Sequence, residues 1–469
     1  MSLLRSLIAA SLALALGACA DMGHIAPQSA LLDPNALDAG QALRDAHADV
    51  AWPKQEWWAD LNDPQLNRLL AGALADSPTL RAAQARVRQA QALAGAAEEN
   101  TRPKGDVEVS FNRELYAENG LMPPPLASNY AWRNHAALNG SYDLDLWGRN
   151  RSALAAALGD IELASAESQM ARLALETALV RSYIQLSLEF ERQDYLKASL
   201  AQRERILDVT RRRAKAGMAT QVDIAQIETT LPGGRVGLEQ SAENIALLRN
   251  QLAALSGKGP AAGDSIVRPT LRLDRPLALP SALPAELVGR RPDIAAQRWR
   301  VEAAARRVDA ARAGFYPNVN LMAFVGLESF GFDHFLDAHA QIRGFTPALT
   351  LPIFAGARLR AQLANQTAIY DGAVEQYNAT VIQALSDVAN VVAKAQSLQE
   401  QDRLTGQALA TATKASKLAE QAYRAGLSDS INVLYSQVAL LAEQQQMAQL
   451  GARKLDTYVS LMSALGGGI

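Results

Sequence analysis

Only one cysteine, Cys19, occurs in 469 residues, so no intramolecular disulfide can staple the fold. The five histidines are scattered. No phosphate-binding loop and no nucleophile–base arrangement stands out, so an enzyme finds little support. Neither sign of charge is in excess: 46 Lys and Arg against 48 Asp and Glu leave a formal net charge of −2. With no basic tract, nucleic-acid binding finds no support either. Beyond the N-terminus, no apolar run reaches the roughly 18 residues that a membrane helix needs. Proline is missing from two long stretches, between Pro125 and Pro232 and after Pro352.

Those proline-free stretches are where the sequence becomes informative. From Asn150 to Lys215, and again from Ala357 to Arg424, Ala, Leu, Gln, Glu and Arg dominate, all good helix formers. Some 65 residues at 1.5 Å each make about 100 Å of helix. Each run ends in a short turn, and the two turns match. Over RRRAKAGMATQVDIAQ and EQAYRAGLSDSINVLYSQ, Ala216-Gly217 falls on Ala425-Gly426, Val222 on Ile431, Asp223 on Asn432 and Gln226 on Tyr435. The duplication extends further: Pro78 and Pro292 open corresponding helices, and Pro103 and Pro317 close them. A proline suits a first helical turn because its missing N–H is not needed there, and Ser77 is a suitable N-cap. YDLDLWGRNR from Tyr142 matches LTLPIFAGARLR from Leu349. An internal repeat on this scale defines the architecture.

Each half reads helix, strand, loop, strand, long helix, tight turn, helix. Alternation predicts strands at Val107, Val109 and Phe111; at Tyr142, Leu144 and Leu146; at Val319, Leu321, Ala323 and Val325; and at Leu349, Leu351 and Ile353. The stretches ELYAENGLMPPPLASNYAWRNH and LESFGFDHFLDAHAQ between them read as loops. His334 and His339 in the second loop lack a third ligand, so no metal site is expected. The last helix carries a heptad-like stripe at Ile431, Leu434, Val438, Leu441, Ala448, Leu455, Val459 and Met462, which predicts side-by-side helix packing. Leu231-Pro232-Gly233-Gly234 predicts a break or kink after the first turn.

The N-terminus reads MSLLRSLIAASLALALGACAD. A positive residue, a short apolar stretch and small residues make a secretory signal over 1–18, too short to span a membrane. Leu16-Gly17-Ala18-Cys19 resembles the bacterial lipobox, which makes Cys19 the expected lipidation site. Ala20, rather than aspartate, follows it, and by resemblance to bacterial lipoproteins this favours the outer membrane. With no membrane helix, a spanning protein must use strands, and open sheet edges do not persist in lipid. Four strands cannot close a usable barrel, but three copies supply twelve.

The chain resembles the TolC-like outer membrane factors, in their NodT/OprM lipoprotein branch. The resemblance rests on Trp57-Trp58, Asp63-Pro64-Gln65-Leu66, YDLDLWGR at Tyr142–Arg149, LPAELVGRRPDI from Leu283, GFYPNV from Gly314 and LPIFAGARLR from Leu351. It covers nearly all of the mature chain. It implies a mainly α fold with a membrane β-barrel: a homotrimer whose twelve-stranded barrel continues into a twelve-helix periplasmic α-barrel. The expected segments are a signal at 1–18, a lipidated N-terminal segment at 19–60, repeats at 61–256 and 285–469, and a linker at 257–284.

The implied function is an exit duct for small molecules, drugs or other toxic compounds among them. The implied partners are outer-membrane lipid, a periplasmic adaptor and an inner-membrane transporter, with no cofactor. The resemblance makes Gly217, Met218, Ala219 and Thr220, with Gly426, Leu427, Ser428 and Asp429, the adaptor-docking turns. It places Asp223, Asn432 and Tyr435 at a pore constriction; relatives often carry aspartates at the last two positions. Three Asp223 carboxylates in place of a denser acidic ring predict weak cation selectivity and weak divalent block. The bland alternative for Asp223 is a solvated carboxylate at a helix start. Trp132, Tyr142, Trp147, Tyr316 and Phe324 read as interface aromatics of a barrel. The competing function is a structural lipoprotein that tethers the envelope through a coiled-coil body, which leaves the strands unexplained.

Overall fold

A computed structural model describes residues 21–33, 52–273 and 289–468. The signal at 1–18, Cys19 and part of the linker lie outside the described residues. Twelve main elements follow in chain order. They are α1 (Pro64–Asp76), α2 (Pro78–Glu99), β1 (Lys104–Leu115), β2 (Tyr130–Asp143), α3 (Arg149–Lys215), α4 (Gln221–Glu228), α5 (Thr230–Leu255), α6 (Pro292–Ala313), β3 (Asn318–Phe330), β4 (Gln341–Thr350), α7 (Gly356–Arg424) and α8 (Ser430–Ala464). Among the described residues, no helix is long and apolar enough to cross a membrane.

The contacts divide the chain into two units, each drawing on both repeats. The first comprises the described residues up to Leu31, with Arg86–Ser165 and Ala296–Asn378. It contains one antiparallel sheet in the order β1-β2-β3-β4. Residues directly opposite each other in such a sheet share a face. Val107 opposes Leu138, which opposes Val325; Val109 opposes Ala136, which opposes Leu327; Val319 opposes Leu349. That face is apolar and exposed, with Val107 72% and Phe345 66% accessible. The opposite face carries Asp106, Glu108, His135 and Glu328, with Arg133 paired to Glu328 at 3.1 Å.

All four strands begin earlier than the alternation predicts or end sooner. β2 starts at Tyr130 inside the expected loop and ends at Asp143, so Leu144 and Leu146 lie past it. β4 ends at Thr350, before Leu351 and Ile353. At the β2 end the cause is local: Asp145 takes a positive φ of 41°, which turns the chain into α3, while Leu144 N still donates to Val319 O at 3.0 Å. β3 continues through Phe330, so the second loop is shorter than expected. Phe324 is not an interface aromatic of the apolar face. It shares the polar face with Gly344, and its ring occupies the space a side chain there would need. Trp132 and Tyr142 do lie on the apolar face. Trp147 and Tyr316 stack at 4.5 Å beside the strand ends.

The segment after Asp21 packs on the same unit. Met22 and Ile25 cover Val308, Phe315, Leu359 and Leu363, and Gln28 N and Ser29 N donate to Asp371 at 3.0 and 3.1 Å.

The second unit holds the larger core. Trp57, Leu61, Leu66, Leu70, Leu179, Tyr183, Leu252 and Val459 are all nearly or wholly inaccessible. Its polar centre is Asp63. The carboxylate caps α1 by accepting from Gln65 N at 2.8 Å and Leu66 N at 3.2 Å, and it also accepts from Thr270 N at 2.7 Å and Tyr183 Oη at 3.0 Å. Burial alone would raise its pKa, yet these donors together hold it below the ordinary carboxylate value.

The predicted break after the first turn occurs at Thr229, between α4 and α5. Pro232 explains the position: its ring excludes a helical contact with the Glu228 carbonyl four residues back. Gly233 and Gly234 remain helical, contrary to expectation. The heptad stripe of α8 is buried at Val459 and Met462, whereas Val438 stays 42% accessible.

Candidate functional site at the paired helical turns

Each long helix must be terminated before the chain can reverse, and a glycine does so in both repeats. Gly217 and Gly426 have φ of 71° and 72°. That left-handed conformation lets the next amide reach back five residues: Met218 N donates to Arg213 O at 2.8 Å, and Leu427 N to Ala422 O at 2.9 Å. Both glycines have open space around them, so the requirement is for φ and not for room.

The next helix is then capped differently in each copy. In the first, Thr220 N donates to Asp223 Oδ2 at 2.7 Å while Asp223 N donates to Thr220 Oγ1 at 3.2 Å, a reciprocal capping box. The Thr220 amide and hydroxyl, with Arg213 nearby, lower the Asp223 pKa. Asp223 therefore caps the start of α4. In the second copy the acid stands three residues earlier. Asp429 precedes α8, Asn432 N donates to its carbonyl at 3.2 Å, and Asn432 Nδ2 donates to Ser428 Oγ at 3.1 Å.

The structure brings the two turns together through a residue that the sequence did not single out. Arg213 Nη1, near the end of α3, reaches Asp429 Oδ1 of the other turn at 2.5 Å. The only sequence signal was the run Arg211-Arg212-Arg213, which reads equally well as cations favoured at a helix C-terminus. Beneath the turns Ile206, Leu207 and Ile227 form a small core with Ile224, Leu231 and Leu434, so both repeats contribute. Above it, Met218 and Leu427 are 63% and 84% accessible at matching positions. Ala219 and Ser428 are half-buried, and Tyr435 is exposed. Two exposed apolar side chains on a rigid, capped pair of turns can engage a protein partner.

His334 of the loop between β3 and β4 is held by Asp337 at 2.9 Å, and among the described residues no group of three or more His, Cys, Asp or Glu is placed to hold a metal ion.

A family model described as outer membrane efflux protein matches residues 69–258 and 283–467. The chain belongs to that family. It is 44% identical over 360 residues to the fusaric acid resistance protein FusA of Burkholderia cepacia, covering 75% of this chain and 67% of that one. It is 30% identical over 436 residues to the multidrug resistance outer membrane protein MdtP of Escherichia coli strain K12, covering 90% and 88%. Among solved structures, the outer membrane protein VceC of Vibrio cholerae superposes with a TM-score of 0.84 at 35% identity, over 89% of this chain and 100% of that one. This efflux protein is thus an exit duct of the outer membrane of a Gram-negative bacterium, with a body in the periplasm.

Proposed function

We propose that three copies of this efflux protein assemble into a passive duct whose paired turns dock a periplasmic adaptor, which links it to an inner-membrane transporter. The observation that carries the assembly is the sheet: four strands, one exposed apolar face, and outer edges on β1 and β4 with no partner strand among the described residues. Lipid tolerates the apolar face but not the open edges. Pairing β4 of one copy with β1 of the next closes twelve strands, apolar outward and polar inward. The long helices support the same reading. Ile369, Ile382, Leu404 and Leu418 on α7, Leu158 and Met170 on α3, and Val438 on α8 are exposed in the single chain, as expected of helices packed laterally against another copy.

Met218 and Leu427 are the docking contacts in this proposal, and the Arg213–Asp429 pair fixes their spacing. Asp223, Asn432 and Tyr435 line the constriction behind them. The duct needs no chemistry of its own. The names of its relatives favour small toxic organic compounds as cargo, and Cys19 carries the lipid. Photocrosslinking from Ser428 in living cells tests the docking assignment. Capture of a periplasmic adaptor supports it, and a trimeric, outer-membrane protein that captures nothing contradicts it.

A further inference from the structure

Three of the motifs that mark the sequence, YDLDLWGR, GFYPNV and LPIFAGARLR, take no part in the turns. They converge instead on one cavity of about 180 Å³ in the first unit, where β2 and β4 give way to α3 and α7. Arg149 from the first repeat and Arg358 from the second both line it, and both are exposed. Neither guanidinium has an ion pair, hydrogen bond or ring partner among the described residues. Their neighbours do. Arg151 pairs with Asp145 at 3.5 Å, Arg360 with Asp21 at 3.3 Å, and Arg307 with Asp160 at 2.5 Å. Asp145, the one acid lining the cavity, is occupied by Asn150 N at 3.0 Å, Arg151 N at 2.9 Å and the Arg151 side chain. Two unpaired cations from opposite repeats are left facing one small space.

The surroundings say what kind of anion belongs there. Leu146 and Trp147 also line the cavity and are 59% and 51% accessible, and beside it Ile353 and Phe354 are 61% and 99% accessible. Leu146 and Ile353 lie just past the ends of β2 and β4, the two strands that lead into this junction. Exposed aliphatic and aromatic side chains next to arginines at the end of a lipid-facing sheet make a membrane–water interface. Arginines close to a membrane surface attract anionic lipid headgroups. The volume suits a phosphodiester and not an acyl chain, which leaves the chains to lie over Ile353 and Phe354.

We infer that this cavity binds the headgroup of an anionic phospholipid from the periplasmic leaflet, its phosphate between Arg149 and Arg358. Such a lipid fixes the depth of the strand–helix junction in the membrane. The inference uses the apolar face as the lipid-facing one and does not depend on the docking of an adaptor.

The test reconstitutes the full-length protein into vesicles of phosphatidylcholine and phosphatidylglycerol, re-extracts it in detergent and quantifies the retained lipid by mass spectrometry. Flotation with the vesicles scores insertion separately. An arginine near an anionic surface contributes about fivefold each, so wild type should retain phosphatidylglycerol with on the order of 25-fold enrichment. Arg149→Gln/Arg358→Gln should reduce the enrichment towards the bulk ratio while still floating. Equal retention by both proteins overturns the site. Binding of inorganic phosphate to the detergent-solubilised wild type that is lost in the double variant, with no enrichment of phosphatidylglycerol by either protein, makes it a free-phosphate site and overturns the lipid assignment. A second measurement avoids the double variant. Quenching by brominated lipid, read as the difference between wild type and Trp147→Phe, should be stronger for phosphatidylglycerol than for phosphatidylcholine. Equal quenching contradicts the inference.

Discussion

Asp63→Asn isolates the polar centre of the second unit. In the wild type one carboxylate oxygen accepts from Gln65 N and Leu66 N, and the other from Thr270 N and Tyr183 Oη. Asparagine keeps one acceptor, so the helix cap survives. Its amide NH2 then confronts the Thr270 amide and the Tyr183 hydroxyl, donor against donor, at a position only 2% accessible. Leaving a buried donor unsatisfied costs about 1–3 kcal/mol. Tyr183 can turn its hydroxyl and Thr270 N cannot, so the expected loss is about 2–3 kcal/mol. Global unfolding of a membrane-embedded oligomer is not a reversible two-state process, so local opening is the better observable. Amide hydrogen exchange of α1 should accelerate roughly 30- to 150-fold, from about 1.4 kcal/mol per tenfold. The pH dependence follows from the lowered pKa of Asp63. A depressed folded-state value means that the contribution is fully present above the unfolded value of about 3.9 and is lost as pH falls through the folded one. The difference between wild type and variant should shrink on acidification. Exchange of Leu66 and Leu70 changed less than threefold at neutral pH refutes the reasoning.

Gly217→Ala and Gly426→Ala should each cost about 1–2 kcal/mol, because an L side chain is strained at positive φ although nothing crowds it; exchange at the amides of Met218 and Leu427 measures this. Val109→Lys on the apolar sheet face should cost about 2–4 kcal/mol near the bilayer midplane and lower the amount of heat-resistant oligomer in the outer membrane, whereas Ser110→Lys on the opposite face should not. Asp223→Ala should remove the side-chain half of the capping box, read as faster exchange at the Thr220 amide, and abolish what weak divalent block there is. Strong block by divalent cations that survives this substitution contradicts the pore reading.

The long helices were legible because their signals are local: no proline, helix-forming composition and a glycine at each end. The strands were legible as strands but displaced. Within β2 the apolar face includes Asn134 and Gly140, and the polar face Ala131 and Ala137, which blurs the alternation. Tyr142, Leu144 and Leu146 alternate more cleanly, yet Asp145 turns the chain there. Gly217 and Gly426 could be read from the repeat. Arg213 could not, because its partner Asp429 is 216 residues away and nothing in either neighbourhood announces the pair. The junction cavity was hidden for the same reason: its three motifs were recognised one by one, and only the fold brings them to one place.

Conductance of the purified protein in a planar bilayer tests the central claim most directly. A trimeric duct predicts discrete, uniform, water-filled conductance steps. Silent bilayers, with the protein shown by protease protection to be inserted, contradict the duct and favour a tether.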